Sequence, residues 1–367
     1  MERVRGIRHS FNQGSQKRLD SAGVRIICAE ATFVGERTVR GGDVTVQAPL
    51  VIINTGTSSL IPDIPGLAGT PYLTNRNFFD LNTLPPRLLV IGGGYIGLEL
   101  GQGLARLGSQ THLIVRGDRV LDHEESDVSE VLAEAFQQDG IQQHFGVSTQ
   151  QVAYEHGVFT LTLSSGESLE AEALLVATGR KPNTKTLNAA ASGIELDDKG
   201  FIKIDEQFHT TCSGVYAIAD VAKQPAFTHV SWEDYRRLKA ILCGEQRTRS
   251  DRTLGYAVYT EPQVGRVGMT LEQAQKQGIN ARAVTLPMNQ IARAIEWGHE
   301  FGFYRMVIDT DTDKILGATL VGYETAELVH VFLDLIEAGA TWQLLEQAVH
   351  IHPTYGEALP SLARLLL

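Results

Sequence analysis

Apolar and polar positions along the chain follow two rhythms. Short continuous apolar runs that end in Thr-Gly read as strands buried on both faces of a parallel sheet, and amphipathic stretches between them read as helices. Residues 24–54 predict short strands: VRIIC, turns at Gly35 and at Gly41-Gly42, then LVIINTG. The same order returns over 157–179 as GVFTLTL, a turn at Ser165-Gly166, then ALLVATG. The closing pairs, Thr55-Gly56 and Thr178-Gly179, lie 123 residues apart, so the pattern predicts two similar βαβ-type units.

The second copy carries an opening part. Arg87–Ile91 (RLLVI) reads as a buried strand, and Gly92-Gly93-Gly94-Tyr95-Ile96-Gly97 follows at once. A helical stretch from Leu98 to Leu107 is stopped by Gly108, and Thr111–Val115 is a second strand. Strand, G-x-G-x-x-G, helix and strand in this order point to dinucleotide binding rather than to a flexible Gly-rich turn. Gly92 permits the tight turn, Gly94 lets backbone approach a pyrophosphate, and Gly97 lets helix and strand pack closely; Tyr95 and Ile96 complete the loop at the helix N-terminus. The repeat offset puts the matching loop of the first unit ahead of Met1, so the chain is expected to open partway through that unit.

The end of the second strand selects the nucleotide. A carboxylate there would take the ribose 2′-hydroxyl of NAD. Here Leu113-Ile114-Val115 runs into Arg116-Gly117-Asp118-Arg119 without an acid at the tip. Arg116 and Arg119 can meet a 2′-phosphate, which favours NADP over NAD. The alternative is that both are solvated loop charges, with Asp118 and Asp122 diluting the positive field.

Composition narrows the rest. The 367 residues carry 32 basic and 43 acidic side chains, a formal charge of −11, which argues against gripping nucleic acid or an anionic membrane. No uncharged apolar run reaches the roughly 18 residues of a membrane helix. Met1–Lys17 lacks a signal-peptide core, and its arginines read as the exposed face of an ordinary helix. Three scattered cysteines, Cys28, Cys212 and Cys243, make neither a disulfide framework nor a thiolate metal site, so a reducing, cytoplasmic compartment is expected and no metal site. Cys212 and Cys243 read as inert. Asp309–Asp313 mimics the opening of a calcium loop, but Lys314 and Leu320 stand where Gly and Glu are required, so it reads as a turn. The apolar stripe Leu328, Phe332, Leu335 and Ile336 reads as a packing or dimer face.

Four ordered motifs carry a resemblance: GGGYIGLE (92–99), VATGRKPN (176–183), VYAIADV (215–221) and HIHPTYGE (350–357). Together they resemble the flavoprotein disulfide reductases, the class I pyridine nucleotide-disulfide oxidoreductases. THVSWEDYR (228–236) and GRVGMTLEQA (265–274) look most like the mercuric-reductase-like, reactive-chlorine-resistance branch. The implied fold is α/β: tandem Rossmann-like FAD- and NAD(P)-binding domains, the first truncated at its N-terminus, and a C-terminal α+β dimerisation domain. The implied boundaries are 1–86 and 180–250 for FAD-domain material, 87–179 for the NAD(P) domain and 251–367 for dimerisation.

The resemblance also implies roles. Asp220 matches an aspartate that bonds the FAD ribityl chain, with Ala219 where the family usually has Gly. Tyr95 matches a tyrosine that covers the flavin where nicotinamide docks. Glu99 matches a glutamate whose lysine partner is absent here, so it is expected to be unpaired. Gly179 closes the ATG turn, and Arg180 lines the nicotinamide side in relatives. His352 and Glu357 match an acid–base pair that serves the disulfide of the opposite subunit of a homodimer. Thr354-x-x-Glu357 is also a helix capping box, but Pro360 is expected to fall inside that helix, which favours the acid–base reading. His350 reads as a supporting residue. The implied activity is a relay from NADPH through FAD to a disulfide, metal-ion or other small acceptor. No Cys-x4-Cys and no second glycine loop occur in the sequence. The chain is therefore expected to hold only part of FAD, and the competing reading is an inactive homologue that binds NADP(H) and dimerises.

Overall fold

A computed structural model describes all residues, 1–367. The chain opens with α1 (Glu2–Ser21), a helix as read from the sequence, but with no buried residue on any face. Next come β1 (Ala31–Gly35), β2 (Thr38–Gly41), β3 (Val44–Gln47), β4 (Val51–Ile53) and β5 (Thr57–Ser59). The glycine-loop region supplies β6 (Arg87–Ile91), α2 (Tyr95–Arg106), β7 (Gln110–Val115), α3 (Ser126–Gln138) and β8 (Gln142–Phe145). Then follow β9 (Thr149–Glu155), β10 (Val158–Leu163), β11 (Ser168–Ala171), β12 (Ala173–Val176), β13 (Arg180–Pro182), β14 (Val215–Ala217) and α4 (Thr228–Leu242). The C-terminal part holds β15 (Gly255–Val258), β16 (Gln263–Gly268), α5 (Leu271–Lys276), β17 (Ala281–Pro287), α6 (Ala292–Trp297), β18 (Phe303–Asp309) and β19 (Ile315–Gly322). It ends with α7 (Thr325–Glu337), α8 (Trp342–Gln347) and α9 (Leu359–Arg364).

These elements gather into two units. One comprises residues 1–60, 76–82 and 179–252; the other comprises 61–75, 83–178 and 253–367. The internal repeat is visible across them. In each copy a three-stranded antiparallel meander, β1-β2-β3 or β9-β10-β11, leads into a short parallel strand, β4 or β12.

In the second unit the parallel sheet runs β12-β6-β7-β8. Leu89, Ile91, Ile114, Leu174 and Val176 face the meander and pack on Phe159, Leu161 and Leu163. Val90 and Leu113 line the other face with Leu98 of α2 and Phe136 of α3. Both faces are covered, which is why β6 and β12 read as continuous apolar runs.

In the first unit β4 pairs in parallel with β14 in a two-stranded sheet. The expected strand over VRIIC does not form. Residues 24–28 have no ladder partner, and Val24, Ile26 and Ile27 are exposed. A strand is stabilised by its neighbour's ladder, not by its own apolar pattern.

The C-terminal part of the second unit is an antiparallel sheet, β15-β16-β19-β18-β17, with α7 laid across it. A Cβ at Gly265 would stand 2.5 Å from the Thr325 carbonyl oxygen, so the missing side chain permits the close approach of α7. Of the predicted stripe, Phe332 is fully buried, and Leu328, Leu335 and Ile336 are half-buried and pack against the same core. Asp309–Lys314 forms the turn between β18 and β19, as the sequence predicts.

A charge cluster, buried at Arg266 and Glu124 and not revealed by the sequence pattern, ties the start of α3 and the stretch ahead of it to this sheet. Arg266 on β16 lies 3.6 Å from Glu124, both nearly inaccessible. Arg305 on β18 pairs with Glu125 at 3.1 Å and with Asp127. Burial pushes the Glu124 carboxyl up and the Arg266 guanidinium down, each opposed by the other's charge.

A second polar contact joins β7 and β8. His112 Nδ1 and His144 Nε2 are 3.1 Å apart, and the ring centroids are 5.4 Å apart with planes 17° from parallel. The centroid separation exceeds the N···N distance by about two ring radii, so the rings meet edge to edge and share one proton. Glu167 Oε2 stands 3.4 Å from His144 Nδ1. Desolvation pushes His112 below its usual value; His144 and Arg87 add to this and Glu167 opposes it.

The unfolded chain therefore takes up the His112 proton before the folded one does. The contribution is complete above about pH 6.5 and is lost as pH falls from there through the depressed folded value. The expected outcome is a larger fall in melting temperature between pH 7.5 and 5.5 for the parent chain than for His112→Gln. Equal falls in thermal melts would remove His112 from the acid sensitivity.

Candidate functional site

The glycine loop is built by close backbone approaches. After Ile91 the chain turns at Gly92, φ +122°, and the Gly92 N–H donates to the Ile114 carbonyl at 2.9 Å. A Cβ at Gly92 would overlap the Ala177 carbonyl oxygen. In the first turn of α2, a Cβ at Gly97 would stand 2.5 Å from the Gly92 carbonyl oxygen. Gly94 differs from both. It is the N-cap of α2 in extended backbone, and nothing lies within 4 Å of where its Cβ would be. The first intrahelical bond of α2 runs from the Leu98 N–H to the Gly94 carbonyl, and the N–H groups ahead of it form the positive end of the helix dipole. A cradle without side chains ahead of a helix N-terminus fits a pyrophosphate.

Two arginines follow β7. Arg116 is exposed at the strand tip, after buried Val115. Arg119 is half-buried; its guanidinium donates to the Asp122 carbonyl at 3.2 Å, and its Nε is buried without a partner. Arg119 is thus partly committed to its own loop.

Glu99 is not unpaired as expected. Its Oε1 accepts the Tyr259 backbone N–H at 2.8 Å. Burial pushes the carboxyl up and this bond opposes the shift. The partner is a backbone amide 160 positions away, a contact that local sequence cannot disclose.

In the first unit a polar corner forms around Asp220. Thr57 Oγ1 donates to Asp220 Oδ2 at 2.6 Å and accepts from Arg180 Nε at 2.7 Å. Arg180 also donates to the Thr57 carbonyl at 2.9 Å and stands 3.9 Å from Asp220 Oδ2. The antiparallel pair β13–β5 sets this register, with Arg180 opposite Ser59 and Pro182 opposite Thr57. Gly179, φ +126°, makes the turn into β13. Both contacts on Asp220 fall on Oδ2, leaving Oδ1 to accept from hydroxyls, as a polyol chain requires. The sequence singled out Asp220, Gly179 and Arg180 but missed Thr57. The one available signal was its place directly after the first Thr-Gly pair.

His352 and Glu357 meet as the motif implies. His352 Nδ1 lies 2.6 Å from Glu357 Oε2, and the imidazole is 73% exposed. Thr354 Oγ1 accepts the Glu357 N–H at 3.3 Å, so the capping contact is also made. A 3₁₀ turn, Gly356–Ala358, starts here and leads into α9, but Pro360 is not interior to the α-helix as expected. It sits in the first turn of α9, which begins at Leu359, where a missing N–H costs nothing. The Glu357 carboxylate holds the imidazole instead of closing the box. His350 Nδ1 is buried without a partner. Cys212 is buried with Sγ 3.5 Å from Ser192 Oγ, while Cys28 and Cys243 are exposed.

Residues 2–234 match the pyridine nucleotide-disulphide oxidoreductase family, and residues 255–363 match its dimerisation domain. The chain belongs to the pyridine nucleotide-disulphide oxidoreductases. It is 29% identical over 362 residues to the probable pyridine nucleotide-disulfide oxidoreductase RclA of Escherichia coli, covering 97% of this chain and 82% of RclA. It is 33% identical over 366 residues to the dihydrolipoyl dehydrogenase of Halobacterium salinarum, covering 96% of this chain and 77% of that protein. It is 32% identical over 345 residues to the mercuric reductase of Bacillus cereus, covering 93% of this chain and 55% of that one. Among solved structures, a Cu(II) complex of an RclA mutant superposes with a TM-score of 0.91 at 28% identity, over 97% of this chain and 82% of RclA. The match gives this pyridine nucleotide-disulphide oxidoreductase an α/β fold with flavin- and nucleotide-binding domains and a dimerisation domain. By family it is a flavin-dependent oxidoreductase. No helix is long and apolar enough to cross a membrane.

The space at Gly94 separates binding from folding. Asp is a favoured N-cap, so Gly94→Asp is expected to leave the melting temperature unchanged or raised. Its charge opposes a phosphate, and affinity for a pyridine nucleotide is expected to fall at least about tenfold, or ~1.4 kcal/mol. Calorimetric titration beside a thermal melt checks both; unchanged affinity would show that no phosphate meets this loop.

Proposed function

We propose that this oxidoreductase takes electrons from NADPH, relays them through FAD, and delivers them to a disulfide, metal-ion or other small acceptor. The observation that carries the reading is the open cradle at Gly94 ahead of α2, followed by a strand tip bearing exposed Arg116 and no acid. When bound, the nicotinamide supplies a hydride and the flavin hands on its electron pair. The residues fit these groups. Gly92, Gly94, Tyr95, Ile96 and Gly97 would hold the pyrophosphate, and Arg116, with Arg119 behind it, the 2′-phosphate. Asp220, braced by Thr57 and Arg180, would hold the flavin's polyol chain.

His352 supplies the acid–base step. Glu357 holds Nδ1, so Nε2 on the exposed side of the ring is the atom that gives or takes a proton at the acceptor. An exposed imidazole in a matched dimerisation domain supports a homodimer in which this ring serves the partner copy. For the acceptor, the relatives support a disulfide or a metal ion: RclA is described as a flavoprotein disulfide reductase and is solved as a Cu(II) complex, and other relatives are mercuric reductases.

Two measurements test the proposal. NADPH is expected to bind more tightly than NADH, and Arg116→Ala to remove on the order of 1.5–3 kcal/mol of that preference, about 10- to 100-fold. Equal affinities in the parent chain would overturn the NADPH assignment. Flavin fluorescence titration is expected to show Asp220→Ala weakening FAD binding at least about tenfold. Equal FAD affinity in parent and variant would overturn the flavin assignment.

A further inference from the structure

Asp234, on α4, is a fully buried carboxylate that the proposed relay does not use. Its Oδ2 accepts the backbone N–H of Ala219 at 2.8 Å. Ala219 has φ +62°, the left-handed region, where a Cβ crowds the backbone and glycine is the ordinary occupant. It opens the short helical turn Ala219–Ala222, and its next neighbour is Asp220. The conformation of Ala219 therefore sets where the Asp220 carboxylate goes.

The surroundings of Asp234 brace the same turn from its other end. Arg252, itself buried, brings NH1 to 2.7 Å from Asp234 Oδ1 and donates from NH2 to Gln224 Oε1 at 3.1 Å. Gln224 donates to the Ala222 carbonyl at 3.3 Å. Burial pushes the Asp234 carboxyl up, while the Ala219 N–H, Arg252 and Arg237 pull it down. A buried ion pair is a poor source of stability compared with apolar side chains of similar volume. Its presence is accounted for by the backbone geometry it imposes.

We propose that Asp234 is a positioning residue: it holds Ala219 in the left-handed conformation and so keeps Asp220 at the Thr57–Arg180 corner where the flavin's polyol chain binds. The inference rests on the flavin reading of Asp220 above. It explains how an alanine is tolerated at a position whose backbone favours glycine. It also predicts a rescue that a merely structural ion pair would not give.

The test uses the full chain, with FAD as the probe followed by flavin fluorescence and with hydrogen exchange of the 215–223 amides as a second readout. Asp234→Ala combined with Arg252→Met removes the pair without leaving a lone buried charge. It is expected to speed exchange in 215–223 and to weaken FAD binding at least about tenfold. Adding Ala219→Gly, which takes the left-handed conformation without a partner, is expected to bring FAD affinity back to within about threefold of the parent. Should the combined variant not fold, Asp234→Asn combined with Arg252→Met decides: it keeps an acceptor for the Ala219 N–H without a lone buried charge and is expected to stay within about threefold of the parent. Unchanged exchange and affinity in the first variant, absence of rescue by Ala219→Gly, or a tenfold loss in Asp234→Asn with Arg252→Met would each overturn the positioning role. Asp220→Ala distinguishes the two readings. If it binds FAD like the parent chain, the flavin reading itself fails; if it loses FAD while the Asp234→Ala, Arg252→Met variant keeps it, only the positioning role fails.

Discussion

The second unit depends on one close contact, the first turn of α2 lying against the end of β6. Gly92 and Gly97 permit it because side chains there would overlap the Ala177 and Gly92 carbonyl oxygens. The contact fixes the helix axis relative to the buried parallel sheet, and so fixes where the N–H groups at the helix start are presented. Gly94 has no such packing duty; the space around it is free. The loop thus divides its glycines between holding the fold and leaving room for a ligand, and the division is visible only once each neighbour is known.

Charged groups inside the molecule follow a related logic. Arg266 and Arg305 hold Glu124, Glu125 and Asp127, the stretch that ends the loop bearing Arg116 and Arg119 and begins α3. Asp234 and Arg252 hold the turn that bears Asp220. Neither cluster lies in a proposed binding site, and each sits a few residues behind one. Desolvation makes such pairs weak contributors to stability, whereas removing one partner leaves a costly lone charge. Each cluster thus constrains backbone position beside a proposed site more than it adds stability.

Much of the fold was legible because its signals are local. RLLVI and ALLV are buried on both faces, so their apolar runs are continuous, and the glycine loop follows the first without a gap. The repeat of hairpin, apolar strand and Thr-Gly was legible in the residue order, and the third strand of each meander was not. VRIIC carried the same apolar signal and failed, because a strand needs a partner ladder that a run of side chains does not specify. The capping argument over Thr354–Glu357 failed in a similar way. It assumed where the helix starts, and a start at Leu359 turns Pro360 from a breaker into an ordinary first-turn residue.

The polar corner around Asp220 was legible only in part, and the reason is distance along the chain. Asp220 and Arg180 stood out because motifs surround them. Thr57, which joins the two, lies 163 positions from Asp220 and 123 from Arg180. The spacing to Arg180 equals the repeat offset: Thr57 follows the first Thr-Gly pair as Arg180 follows the second. In the antiparallel pairing of β5 with β13, the segments just after the two Thr-Gly ends are brought together. The repeat therefore supplies this corner with its two sides, one contributing the hydroxyl and the other the guanidinium. Asp220 enters through a third segment, at the end of β14, whose parallel pairing with β4 carries it alongside the first Thr-Gly end. A site assembled from two repeat ends and one later strand has no contiguous signature, and its chemistry becomes readable only when strand order is known.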